Sequence, residues 1–64
     1  MIISIGRLSI NLDNVDYWET VCDPLENKYK IIFYFSERTV TNTFERADDF
    51  YAIEEILNKI KRIQ

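Results

Sequence analysis

The sequence has no histidine, a single cysteine, one glycine and one proline. Each scarcity removes a class of chemistry or architecture. Without histidine there is no imidazole to move protons near neutral pH. One thiol, Cys22, cannot form an intramolecular disulfide, and without histidine it completes no structural zinc site. The single glycine, Gly6, is too little for a glycine-rich phosphate loop, and no serine stands in a G-x-S-x-G context. Positive charge is short as well: eight Lys and Arg against eleven Asp and Glu give a net charge of −3. An acidic surface repels phosphate backbones and anionic lipid, which weighs against nucleic-acid and membrane partners. No apolar run approaches the roughly 18 residues of a membrane span. Met1 leads into a short apolar run with no basic leader or long apolar core, so no signal peptide is expected. Together these absences predict a cytoplasmic, non-enzymatic protein without cofactor or metal.

What remains is a globular composition. Hydrophobic residues make up 47% and charged residues 30%, well outside the disordered range. The 64 residues predict one domain over 1–64. A chain this short buries only about 60% of its unfolded surface. With no disulfide or zinc to staple it, self-association is the remaining means of stabilisation.

The patterning predicts an α+β fold, an antiparallel meander of about four strands closed by one C-terminal amphipathic helix. Residues 1–12 are apolar and β-branched, and Leu8, Ile10 and Leu12 alternate with polar residues. Gly6 marks either a bulge in one bent strand or a turn between two short ones. Asp13 and Asn14 suit a two-residue turn that would set Leu12 opposite Val15 and Ile10 opposite Tyr17. The next strand covers about 15–22, and a loop with Pro24 follows. Residues 29–35 form the strongest strand, paired with 38–44 around Ser36 and Glu37, where side-chain parity favours an even loop over an odd one compensated by a bulge. Phe50, Ile53, Leu57 and Ile60 recur at helical spacing, so the helix runs from Ala47 or Asp48 to Arg62, with Ile56 and Ile63 beside the stripe. Asp48 is the expected N-cap, and the acid-first, base-last order suits the helix dipole.

One helix covers one face of a sheet. Parity assigns that face Leu8, Ile10, Leu12, Val15, Tyr17, Ile31, Phe33, Phe35, Val40 and Phe44. The bare face then holds Trp18, Ile32 and Tyr34 beside Thr39, Thr41 and Thr43, with Ile3 or Ile5 as further candidates for it. Aromatic and aliphatic residues on an uncovered face are typical interface anchors. Trp18, Ile32, Tyr34, Thr39 and Thr41 are therefore the candidate partner interface, for a homo-oligomer or another protein, by face or by open strand edge. The alternative is that these side chains merely cover one another across strands. A second function class uses the same sheet: Tyr34, Trp18, Lys30 and Arg38 as a stacking platform for single-stranded nucleic acid in a regulatory protein. The acidic stretch Asp13, Asp16, Glu19, Asp23 and Glu26 lacks the spacing of a calcium loop and reads as a solvated face. Cys22, flanked by acids and without a histidine, reads as a buried or inert thiol.

The run INLDNVDYWE, residues 10–19, is a strand, an LDNV turn and an aromatic-acidic strand. It resembles small bacterial β-meander-plus-helix proteins of cyanobacterial or phage type. More distantly it is similar to LytTR-like DNA-binding modules and to short swarming-motility proteins. The resemblance implies the same meander and final helix. The chain departs from the swarming type where Ser36 and Glu37 replace a glycine turn, and it lacks basic segments of the LytTR kind. The resemblance thus assigns no functional residue.

Overall fold

The structure, a computed structural model, describes residues 1–61. It is α+β: two antiparallel sheets, of two and three strands, and one C-terminal helix. The expected helix end at Arg62 and the apolar Ile63 lie outside the described residues.

Residues 1–12 form two strands, β1 (Ile2–Ile5) and β2 (Leu8–Asn11), joined at Gly6 and Arg7. Gly6 has φ +60, and Arg7 is not among the positive-φ residues. A two-residue hairpin with positive φ only at its first central position is the type II′ pattern, and glycine adopts it at no steric cost. Ile3 pairs with Ile10 and Ile5 with Leu8, so one face of the hairpin is aliphatic.

The expected pairing of Leu12 with Val15 does not form. Leu12–Asn14 is instead one turn of 3₁₀ helix. The Asn11 side chain accepts from the Asp13 N–H at 3.1 Å, and the Val15 N–H donates to the Leu12 carbonyl at 3.2 Å. This local capping offers the backbone an alternative to a strand ladder. β2 and the next strand consequently belong to different sheets.

The three-stranded sheet has the order β3 (Tyr17–Asp23), β4 (Lys28–Tyr34), β5 (Thr39–Phe44). A four-residue loop joins β3 to β4, with Asn27 at φ 55, a left-handed angle that asparagine tolerates. The even loop at Ser36 and Glu37 is present: Phe35 donates its N–H to Arg38 at 2.8 Å, and Tyr34 pairs with Thr39. The helix α1 (Ala47–Lys61) starts one residue before Asp48. Asp48 and Asp49 therefore sit inside its first turn, where they complement the dipole, and Asp48 is not the N-cap.

The helix and the β1–β2 hairpin share one core with the inner face of the β3–β5 sheet. Ile31, Phe33, Phe50 and Leu57 are fully buried, with Ile3, Ile5, Ile10, Leu12, Tyr29 and Phe44 around them. Ile3 and Ile5 thus belong to this core and not to the bare face, because β1 pairs with β2 in a separate hairpin that packs on the covered side. Each such side chain contributes about 1.5–3 kcal/mol of transfer free energy. Tyr29, Phe44 and Phe50 meet in tilted and edge-to-face contacts with centroids 5.5 and 5.8 Å apart.

The strand register corrects two face assignments. Trp18 lies opposite Phe33 and Tyr17 opposite Tyr34. Residues directly opposite share a face. Trp18 is thus on the helix side, half-buried and packed against the core, while Tyr17 is on the bare side and 56% exposed. The reason is a slip of parity between Val15 and Trp18. Both pack against the core although they stand three positions apart, an odd spacing that strict alternation would send to opposite faces. Asp16 donates its N–H to the Tyr34 carbonyl, a partner that the β3–β4 register would not give it.

Candidate interaction surface

The bare face of the β3–β5 sheet is built by register. β4 contributes Lys28, Lys30, Ile32 and Tyr34. Opposite them on β3 stand Asp23, Val21, Glu19 and Tyr17. On the other side β5 sets Thr43, Thr41 and Thr39 against Lys30, Ile32 and Tyr34. Four of the five candidate residues, Ile32, Tyr34, Thr39 and Thr41, therefore do share this face. Trp18 does not. Tyr17 and Val21 take its place; sequence parity counted from Val15 concealed both.

The face is more self-contained than its composition suggests. Tyr17 and Tyr34 stack with centroids 4.3 Å apart and planes 13° from parallel. The Tyr34 hydroxyl donates to the Glu19 carboxylate. That hydrogen bond is the main reason the phenol is pushed up to about 12, since ionisation would set a phenolate beside a carboxylate. Ile32 is half-buried between Glu19 and Thr41. The stacking platform imagined for nucleic acid is divided as well. Tyr34 and Lys30 are on the bare face, whereas Trp18 and Arg38 belong to the helix side, Arg38 lying 5.0 Å over the Phe35 ring.

The sheet edges are less self-contained. Hydrogen bonding along an antiparallel strand alternates from side to side. The Phe35–Arg38 bond fixes the phase on β5. Arg38, Val40, Asn42 and Phe44 therefore bond inward to β4, and Thr39, Thr41 and Thr43 turn their N–H and C=O groups outward. No described strand pairs beyond β5, and none pairs beyond β3. By the same alternation β3 turns Trp18, Thr20 and Cys22 outward.

Two clefts adjoin these edges. One of about 540 Å³ lies between residues 4–6, the end of β5 and the first turns of α1, and is lined by Glu45, Arg46 and Asp49 among others. A smaller one of about 180 Å³ lies beside Leu12, Tyr17, Trp18 and Ile60.

Cys22 is exposed, not buried, and its sulfur lies 3.3 Å from the Tyr51 hydroxyl. The thiol holds that phenol protonated, pushing it up to about 12. Among the described residues no three acidic or thiol side chains gather closely enough to hold a metal ion. No described helix is long and apolar enough to cross a membrane. Compared with protein-family models, curated proteins and solved structures, the chain matches none.

Proposed function

We propose that the protein is a small non-enzymatic interaction module of the cytoplasm that self-associates through its β3–β5 sheet. The observation that carries this reading is the pair of open strand edges: a three-stranded sheet, covered on one face, ends on both sides at a strand with no further strand partner among the described residues. Open edges template further pairing. The bare face contributes less than the edges, because Tyr17, Tyr34 and Glu19 already satisfy one another. Size supports the same reading, since 64 residues without disulfide or histidine have few other routes to stability.

Sedimentation of the intact chain beside a Tyr17→Lys, Tyr34→Lys double variant tests both halves. Association through an edge leaves both species oligomeric. A monomeric double variant with unchanged circular dichroism would move the interface to the face. A monomeric parent would end the reading altogether. If the parent instead shifts single-stranded oligonucleotides at low salt, the alternative of a nucleic-acid-linked regulator using the sheet face replaces it.

A further inference from the structure

We infer that two copies of this chain join edge to edge through β5, antiparallel, about a two-fold axis at Thr41. The inference rests on the self-association proposed above and names its partner, edge and register.

β5 is the edge with the fewest safeguards. Proteins blunt exposed edges with lysine, proline, bulges or very short strands. Thr39–Phe44 has none of these: its residues are TVTNTF, paired with β4 in unbroken register. β3 carries Glu19 and Asp23 with no basic residue, so two copies would repel. β1 and β2 are four residues each.

Symmetry then selects the register. The outward backbone groups belong to Thr39, Thr41 and Thr43, a set centred on Thr41. An axis there sets Thr41 against the partner's Thr41 and Thr39 against the partner's Thr43, using every outward group in about six hydrogen bonds. It also keeps faces continuous, with threonine against threonine on the bare side and Val40 against the partner's Asn42 on the helix side. Shifting the axis to Asn42 leaves Thr39 without a strand residue to face.

Charge and space agree with this choice. The same register brings the partner's Arg38 opposite Phe44, on the helix side of the sheet. There it meets the open 540 Å³ cleft, whose charged lining is Glu45, Asp49 and Arg46, two acids to one base. A guanidinium entering that space finds carboxylates.

Cysteine crosslinking in a Cys22→Ser background tests the register. Across a hydrogen-bonded pair the Cα atoms are about 5.5 Å apart, within disulfide range. Thr39 and its own symmetry mate would be about 14 Å apart. Under mild oxidation Thr41→Cys should therefore form a covalent dimer. Thr39→Cys and Thr43→Cys should each stay single-chain, yet crosslink when mixed. Thr41→Pro is the second test, because it removes an outward N–H and leaves the β4 ladder intact; its mass should halve with the fold's circular dichroism retained. Crosslinking at all three sites alike, none at Thr41, or a Thr41→Pro variant that still associates would overturn this register while leaving self-association standing. A parent chain that is monomeric by sedimentation would remove both.

Discussion

Tyr34 and Glu19 show how a side chain that reads as an interface anchor is occupied within its own sheet. The Tyr34 phenol ordinarily titrates at 10.0 and is pushed up to about 12 by its hydrogen bond to Glu19. Glu19→Gln should bring it back toward 10.0 in a spectrophotometric titration, while Tyr51, held by Cys22, keeps its raised value. The linkage has a definite sign. Above about pH 10 the unfolded chain releases phenolic protons that the fold still retains. Stability therefore falls as pH rises from about 10 to about 12, and less steeply in the Glu19→Gln variant. Trp18 and Tyr17 lie on the faces opposite to those that alternation from Val15 predicts. Alternation alone places Ile32, Tyr34, Thr39 and Thr41 on one face, and the register has them there. It misplaces Trp18, because alternation counted from Val15 cannot register a one-residue slip at Asp16. Trp18→Ser should cost roughly 2–3 kcal/mol in urea unfolding, because it opens the core's edge. Tyr17→Ser should cost about 1 kcal/mol, the value of one exposed aromatic stack.

At the level of elements, dense and strictly periodic patterns are the ones legible in the sequence. The β4–β5 hairpin follows from seven alternating residues in β4 and an even loop, and the helix from its three- and four-residue spacing. Leu57 and Ile56 separate the faces of that helix. Leu57 is fully buried and Ile56 is 40% exposed. Leu57→Ala should lose about 2–5 kcal/mol and Ile56→Ala about 0.5 kcal/mol or less, measured by denaturant midpoint at constant slope. The turn at Leu12–Asn14 was not legible. Asp and Asn suit a hairpin turn and a 3₁₀ turn equally. The choice between them depends on the Asn11 cap and on whether β2 finds β3 or only β1 as a partner. Pairing between distant strands leaves no trace in local alternation. The expected two-residue turn therefore gave way to two separate sheets.

For the whole molecule, one core joins the helix, the β1–β2 hairpin and one face of the β3–β5 sheet. On the opposite face Tyr17, Tyr34 and Glu19 contact one another across strands, and among the described residues no strand pairs with the outer edges of β3 and β5. Self-association links stability to concentration, because binding between folded copies draws the equilibrium toward the fold. The unfolding midpoint should rise as the chain is concentrated. The most direct measurement is sedimentation equilibrium of the unaltered chain from low to high micromolar concentration. Self-association through an open edge predicts a mass rising from the 7.7 kDa of one chain toward twice that value. A mass of 7.7 kDa throughout the range would contradict it.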